Sequence, residues 1–276
     1  MQTLIIHTRR LTSQQAKKLE LAFEAPLKIV NNHYRQTVNN IDKTIVRELS
    51  EQLQIDINIL PSHFKGSDAK MFISDMDSTL IGIECIDEIA DMNDLKPQVS
   101  EITEAAMRGD IDFEASLMQR VQLLKGIETS ALEAIFNERL FLNKGAEEWV
   151  SGLKRKGLRF ALVSGGFTFF TDRLQNQLNL DFSRANLLAE ENGKLTGKVI
   201  GKIIGGQAKA EFLHELCKKQ NIKPSQVIAI GDGANDLAMM KEAGLSIAYR
   251  AKPAVQQQAT TVFNFSDLDA ALDFLE

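Results

Sequence analysis

Cysteine is nearly missing from this chain of 276 residues: only Cys85 and Cys217 occur, far apart and outside any Cys-x-x-Cys spacing. That excludes a disulfide framework and a zinc knuckle, and it points to a reducing, cytoplasmic setting. Long hydrophobic runs are missing too. No apolar stretch approaches the roughly 20 residues that a membrane span needs. The opening Met1-Gln2-Thr3-Leu4-Ile5-Ile6-His7 has neither the basic leader nor the apolar length of a signal peptide, so a soluble protein is expected. Positive charge is not in excess: 32 Lys and Arg against 37 Asp and Glu give a net charge of -5. This argues against a nucleic-acid or anionic-membrane partner and leaves a small molecule, although a local basic pocket could hold a small anion. The four histidines, His7, His33, His63 and His214, show no metal-ligand spacing and no nearby partner acid, and are expected at the surface or in packing. Gly231-Asp232-Gly233 lacks the rest of a Gly-x-Gly-x-x-Gly loop and the ribose-binding acid beyond it, so nucleotide binding is not expected.

What is present is an ordinary globular composition, 44% hydrophobic and 25% charged, enough for one large domain with an appendage or two modest ones. Residues 1–66 read as a small βαβαβ-like unit. Apolar runs at 4–6, 27–30 and 55–60 alternate with helical patterns at 13–23 and 41–53. The turn-rich stretch 61–67 is the expected boundary. Beyond it, short apolar runs at 71–73, 160–163, 227–230, 245–248 and 262–265 end in polar or glycine-rich turns followed by helical patterns, the signature of a parallel α/β sheet with buried strands. The first three lead into Asp75, Ser164 and Asp232, which puts those residues at the carboxyl ends of strands, where open α/β sheets bind ligands. Residues 82–143 are far more than a crossover needs, and their helical periodicity makes them a cap over the strand ends. A second excursion, 187–199, reads as a hairpin because Asn192-Gly193 suits a type I′ turn. Trp149 and the Leu and Phe stripes are expected in the core.

Asp75-Met76-Asp77-Ser78-Thr79 sets two carboxylates just after a buried strand, and Gly231-Asp232-Gly233-Ala234-Asn235-Asp236 brings a third from another. Hard oxygen ligands in this number suit Mg2+. One carboxylate with an open face can be a nucleophile while its neighbour exchanges protons with the leaving oxygen, so Asp75 is the expected nucleophile and Asp77 the expected acid and then base. A lone Asp-x-Asp is as often a turn or a strand-end cap. The remaining motifs give it weight. Ser164 lies in Val163-Ser164-Gly165-Gly166, whose glycines let backbone N–H groups approach an anion. Lys209, in Gly205-Gly206-Gln207-Ala208-Lys209, opens a helix and can compensate phosphoryl charge, although an isolated helix lysine is usually a solvated surface group.

These four motifs, in this order, resemble the haloacid-dehalogenase superfamily of phosphatases over residues 70–276, with the N-terminal unit outside the resemblance. The resemblance implies an α/β fold in which residues 67–276 form a Rossmann-like parallel sheet with an inserted helical cap. Residues 1–66 form a small α+β unit weakly similar to an ACT-like sensor. It also implies Mg2+ held by Asp75, Asp77 through its backbone carbonyl, and Asp232. Asp236 would hold metal-bound water or Lys209, and Asn235 would bond substrate or phosphate. Within the superfamily the chain resembles the phosphoserine phosphatase family. Glu84, in Ile83-Glu84-Cys85-Ile86-Asp87, matches the glutamate that meets the substrate ammonium, and Arg120, in Leu117-Met118-Gln119-Arg120-Val121, matches the arginine that meets its carboxylate. Such a pair could clamp a zwitterion, the arginine bidentately. Phe113 matches an apolar cap position that closes over substrate, although an aromatic at helical spacing is also ordinary packing.

The activity this resemblance implies is hydrolysis of O-phosphoserine through an aspartyl-phosphate, the last step of serine biosynthesis, with Ser164, the Gly165 N–H and Lys209 holding phosphoryl oxygens. Three alternatives stay open at this level: another phosphate ester, phosphoryl transfer to a second alcohol, and an idle amino-acid-binding regulator. For the N-terminal unit, ligand binding, formation of a homodimer and simple packing are equally open.

Overall fold

The computed structural model describes residues 2–39 and 41–276; Met1 and Asn40, both inside the expected N-terminal unit, lie outside the described residues. The chain first builds β1 (Gln2–Ile6), α1 (Ser13–Phe23), β2 (Lys28–Val30), β3 (His33–Val38), α2 (Lys43–Leu53) and β4 (Ile57–Leu60). Thr12 and Gln15 close a capping box at the start of α1, and Asp42 caps α2 through the Thr44 N–H at 2.8 Å, so helix donors without an intrahelical partner are satisfied. The strands form an antiparallel sheet in the order β2-β3-β1-β4. The observed βαββαβ corrects the βαβαβ expectation by one strand. His33-Tyr34-Arg35-Gln36-Thr37-Val38 contains no apolar run, yet His33, Gln36 and Val38 are buried, and Asn31, at φ 49°, turns the chain back from β2. Leu4, Ile6, Leu19, Phe23, Val46 and Leu49 share the core between this sheet and its helices.

The second sheet contains β5 (Met71–Ser74), β6 (Arg159–Phe167), β7 (Phe182–Glu191), β8 (Lys194–Ile200), β9 (Val227–Gly231), β10 (Leu245–Tyr249) and β11 (Thr261–Phe263), in the order β11-β10-β9-β5-β6-β7-β8. Neighbours are parallel except β7 and β8, the hairpin expected at Asn192-Gly193, whose φ values of 51° and 77° suit a type I′ turn. Every residue of β5, β9 and β10 is buried, as strands of a sheet covered on both faces must be. Alternate side chains of β5 feed two cores. Phe72 meets the fully buried Trp149 edge-on at 5.4 Å, while Met71 and Ile73 join Phe212 and Leu213 on the other side.

The insert between β5 and β6 is the expected helical cap: α3 (Cys85–Asp91), α4 (Lys96–Arg108), α5 (Phe113–Leu123) and α6 (Ser130–Glu138). The other helices are α7 (Ala146–Arg155), α8 (Thr168–Leu178), α9 (Gly206–Gln220), α10 (Leu237–Glu242) and α11 (Pro253–Gln256). The cap is pinned at its base. Gly82 N–H donates to Phe141 O at 3.0 Å, and the Asn143 carboxamide donates to Thr79 O at 2.8 Å and Ile81 O at 3.1 Å. Both cysteines are free and buried, and among the described residues no helix is long and apolar enough to cross a membrane.

The two sheets meet along β4 and β11. Asp56, buried just before β4, accepts N–H bonds from Asn264 (2.8 Å), Phe265 (3.0 Å) and Ser266 (2.7 Å). The Asn58 carboxamide accepts from Val262 N–H at 2.8 Å and donates to Val262 O at 3.0 Å. Asp273 stands between Nδ1 of His7 (2.8 Å) and Nδ1 of His33 (3.2 Å), so two histidines without an acid nearby in sequence find one at the far end of the chain. Both therefore serve packing between the sheets; His63 is exposed, and His214 pairs with Glu242 at the surface. Asp56→Ala should leave three backbone N–H groups without their acceptor and lower the unfolding free energy by about 3 kcal/mol. Urea denaturation reads this directly, and a loss below about 1 kcal/mol would mean that water replaces the carboxylate.

Candidate active site

Strands β5 and β9 deliver two acidic loops to the same sheet edge. Pairing continues past the end of β5, where Asp75 N–H donates to Ile230 O at 3.0 Å, so the ladder itself holds Asp75. The chain then turns through Met76–Leu80, with Ser78 at a left-handed φ of 55°. Oδ1 of Asp75 accepts from the Met76 N–H and from the Lys209 ammonium, each at 2.7 Å. No hydrogen bond among the described residues reaches Oδ2. Burial, reinforced by Asp236, pushes the Asp75 carboxyl well above its ordinary range, and Lys209 opposes the rise.

Asp77 is wired differently. Its Oδ1 accepts from Cys85 N–H at 2.8 Å and its Oδ2 from the Ser164 hydroxyl at 3.0 Å. Burial raises its pKa, and its bonds to Cys85 and Ser164 oppose the rise. Ser164 owes its place to a break in the β6–β7 ladder. Val163 pairs with Arg184 and pairing resumes at Phe167 with Asn186, so Ser164, Gly165 and Gly166 stand opposite Ala185 alone. The loop thus lies within β6, whereas the apolar run suggested that the strand ended before it. Gly166 N–H donates to Ser164 Oγ at 2.7 Å, and a methyl group at residue 166 would lie 2.7 Å from Asp77 Oδ2, so no side chain fits there.

Lys209, at the start of α9, is wholly buried. Burial alone would favour loss of its proton, but Asp236 and Asp75 outweigh that and hold the ammonium above its ordinary range. Its Nζ donates to Asp236 Oδ1 at 2.7 Å, and Asp236 Oδ2 accepts from Gly233 N–H at 3.0 Å. Asp75, Asp232 and Asp236 bring carboxylate oxygens within 4.8 Å of one another. Burial and then Asp236 push Asp232 up to about 6, against the Thr79 hydroxyl that donates to it at 3.0 Å. With Asp77, four carboxylates face one ammonium, an imbalance that fits a divalent cation bound through hard oxygens. The resemblance implies a cation held by Asp75, Asp232 and the main-chain carbonyl of Asp77, with Asp236 on Lys209 or metal-bound water. The Asp77 carboxylate is occupied by Cys85 and Ser164, so its main-chain carbonyl is the group it can offer, while Asp236 joins the trio and binds Lys209 as well.

Glu84 stands beyond the turn and accepts from the Ser78 hydroxyl at 2.6 Å. It is open to solvent, yet the protein crowding around it and then Asp77 push its carboxyl up to about 8. Arg120, half-buried on α5, makes no ion pair within 4.0 Å among the described residues; its Nε donates to Ser116 O at 3.4 Å. Burial lowers its pKa, and the fields of Asp87, Glu84 and Asp77 partly offset this. An uncommitted guanidinium facing a carboxylate can take both ends of a zwitterion. Phe113 opens α5 with its ring over the Ser164 loop and the turn before α9: methyl groups at residues 165 and 205 would meet it at 2.9 and 3.1 Å. Asn235 lies between Gly233 and Gly206, and its side chain makes no hydrogen bond among the described residues. Thr79 and Asn143 were absent from the sequence-based set. Thr79 sits inside the Asp75 motif, which was a usable signal; Asn143, which holds its main chain, is 64 residues away and carries none.

A family model described as haloacid dehalogenase-like hydrolase matches residues 69–244. The chain is 49% identical over 225 residues to the phosphoserine phosphatase of Polaromonas sp. (strain JS666), a match covering 80% of this chain and 95% of that protein. It is 47% identical over 228 residues to the phosphoserine phosphatase of Haemophilus influenzae, covering 83% of this chain and 72% of that one. The crystal structure of a haloacid-dehalogenase family hydrolase from Salmonella enterica serovar Typhi matches with a TM-score of 0.91 at 32% identity, over 100% of this chain and 99% of that one.

The raised carboxyls set a pH dependence. Glu84 moves from 4.5 to about 8 and Asp232 from 3.8 to about 6, so between those values the folded, metal-free protein binds more protons than the unfolded chain. Stability should therefore fall as pH rises from about 4 to about 8. Glu84→Gln should flatten the upper part of that decline in melting temperature, and a divalent cation should stabilise more at the alkaline end than at the acid end. A Glu84→Gln profile parallel to the parent's in metal-free buffer would contradict the placement of Glu84.

Proposed function

We propose, for a chain that belongs to the phosphoserine phosphatase family of haloacid dehalogenase-like hydrolases, that it hydrolyses O-phosphoserine to serine and inorganic phosphate through a covalent phosphate on Asp75. The observation that carries this reading is the opposite wiring of two carboxylates two residues apart. Among the described residues, Asp75 is charge-paired with a buried ammonium and keeps an oxygen free of hydrogen bonds, while Asp77 has no ion pair and meets only neutral donors, the Cys85 N–H and the Ser164 hydroxyl.

In the first displacement the open Asp75 carboxylate attacks phosphorus. The P–O bond to serine breaks, and the seryl oxygen leaves with the proton that Asp77 held. In the second, water attacks the aspartyl-phosphate, Asp77 takes its proton, and phosphate and the Asp75 carboxylate are released. Lys209 and the Ser164 loop face the phosphoryl oxygens and stabilise charge that builds up on them. Mg2+ is the cation we assign to Asp75, Asp232 and the Asp77 carbonyl, where it would neutralise phosphate charge and orient the in-line attack. Glu84 takes the substrate ammonium, Arg120 its carboxylate, Asn235 its phosphate side, and Phe113 covers it. Asp236 acts through Lys209. We assign the chemistry to residues 67–276, with the cap at 82–143, and treat residues 1–66 as a separate unit on its own sheet. Two free, buried cysteines favour a cytoplasmic setting, and release of serine there would complete its biosynthesis.

Phosphate release from O-phosphoserine, with and without Mg2+, tests the reading. Asp75→Asn should lose turnover by about 1000-fold or more, since no route bypasses a missing nucleophile; near-parental activity in that variant would rule out the covalent mechanism. Arg120→Ala should lower kcat/KM for O-phosphoserine by about 10- to 100-fold, the value of one charged hydrogen-bonded contact. Its effect on p-nitrophenyl phosphate, which has no carboxylate, should be small. Equal losses on the two esters would remove the amino-acid assignment.

A further inference from the structure

Asn186 is 1% exposed and belongs to none of the four motifs. It lies in β7 at the point where pairing with β6 resumes after the bulge. Its Nδ2 donates to Gly165 O at 2.8 Å, and its Oδ1 accepts from Ile204 N–H at 2.8 Å. One carboxamide therefore joins two loops remote in sequence. The first is Ser164-Gly165-Gly166; the second is the run 201–205 into α9, where Lys209 N–H donates to Gly205 O at 3.0 Å.

The geometry of the peptide bond gives this contact its reach. A planar trans peptide sends its carbonyl and its N–H in opposite directions. With Gly165 O locked against Asn186, the N–H of Gly166 is turned toward Ser164 Oγ, which it meets at 2.7 Å. The Ser164 hydroxyl then donates to Asp77 Oδ2 at 3.0 Å. A continuous series of hydrogen bonds thus runs from Asn186 to the residue that handles the proton. The same carboxamide sets the spacing of Gly165 and Gly205, the two glycines beneath the Phe113 ring. A leucine of similar size would fill the space but leave a buried carbonyl and a buried N–H without partners.

We infer that Asn186 is a positioning residue for phosphoryl transfer: it fixes the Gly165–Gly166 peptide and, through Ser164, Asp77, and it holds together the ledge on which Phe113 rests. The inference rests on the phosphatase reading above. The test compares the parent, Asn186→Ala and Asn186→Asp on O-phosphoserine and on p-nitrophenyl phosphate at saturating Mg2+, across the acid-to-neutral range, with circular dichroism as the check on folding. Asn186→Ala should lower kcat by about 10- to 100-fold on both esters with KM within about threefold, the scale of a small misplacement at the reacting centre. In Asn186→Asp the neutral carboxylic acid offers the same donor and acceptor as the amide, and the ionised form does not. The ratio of variant to parent kcat should therefore be near one in acid and fall as pH rises.

An Asn186→Ala kcat within about twofold of the parent, or a loss confined to KM, would overturn the role. If Asn186→Ala does not fold, the Asn186→Asp ratio decides, and a ratio flat with pH overturns it. A parent active only on p-nitrophenyl phosphate would remove the substrate assignment while the Asn186 comparison is still read on that ester. A parent idle on both would remove the phosphatase reading and this inference together.

Discussion

A wholly buried ammonium is the constraint from which the rest of the site follows. Lys209 has no exposure to solvent, and a buried charge without partners costs several kcal/mol, so a fold that encloses it must supply carboxylates at the same place. Those carboxylates, Asp75 and Asp236, come from the ends of adjacent strands β5 and β9, each held by its own ladder and loop bonds. Pairing one ammonium with two carboxylates over-compensates it. Asp232 and Asp77 add to the excess; burial is the first cause of the raised pKa values of Asp75, Asp77 and Asp232, and Asp236 adds to it at Asp75 and Asp232. A phosphate ester brings still more negative charge, so a site of this composition is workable for such a ligand only together with a cation. The chemistry and the cation requirement thus have one origin, the over-compensated lysine.

The parts of this arrangement that could be read from sequence are those in which local pattern and final environment agree. Residues 71–73 and 227–230 are unbroken apolar runs, and both are buried strands of a parallel sheet; the acids that follow them fall where such strands end. Asn192-Gly193 names its own turn because the backbone there needs positive φ twice. The misses share a different cause. β3 is a strand because its neighbours β1 and β2 bond to it on both sides, while its buried His33 approaches Asp273 and its buried Gln36 donates to Ala25 O, groups outside the strand. The Ser164 loop looked like a strand end because glycines usually interrupt a strand, but here the ladder skips it and resumes at Phe167. Which way a carboxylate points depends on donors such as Cys85 N–H and Lys209 Nζ that only the folded chain brings near.

The placement of Phe113 and Arg120 follows from how the cap is held. Hairpin β7–β8 is fastened to the cap by main-chain bonds: Gly126 N–H to Leu195 O at 2.8 Å, Leu195 N–H to Ile127 O at 2.8 Å, and Thr129 N–H to Gly193 O at 2.8 Å. β7 is at the same time a strand of the large sheet and the carrier of Asn186. Through this hairpin α5, which bears Phe113 and Arg120, is referred to the same rigid body as Asp75, Asp77 and Lys209, although its position in sequence lies in the insertion. Backbone hydrogen bonds do not depend on side-chain rotamers, so this tie constrains Phe113 and Arg120 more tightly than a surface ion pair could. The position of Glu84 is set separately, by the Asp77 contact to Cys85 N–H and by the Ser78 hydroxyl. Glu84 and Arg120 are therefore anchored separately, one through the turn after Asp75 and the other through the hairpin at the sheet edge.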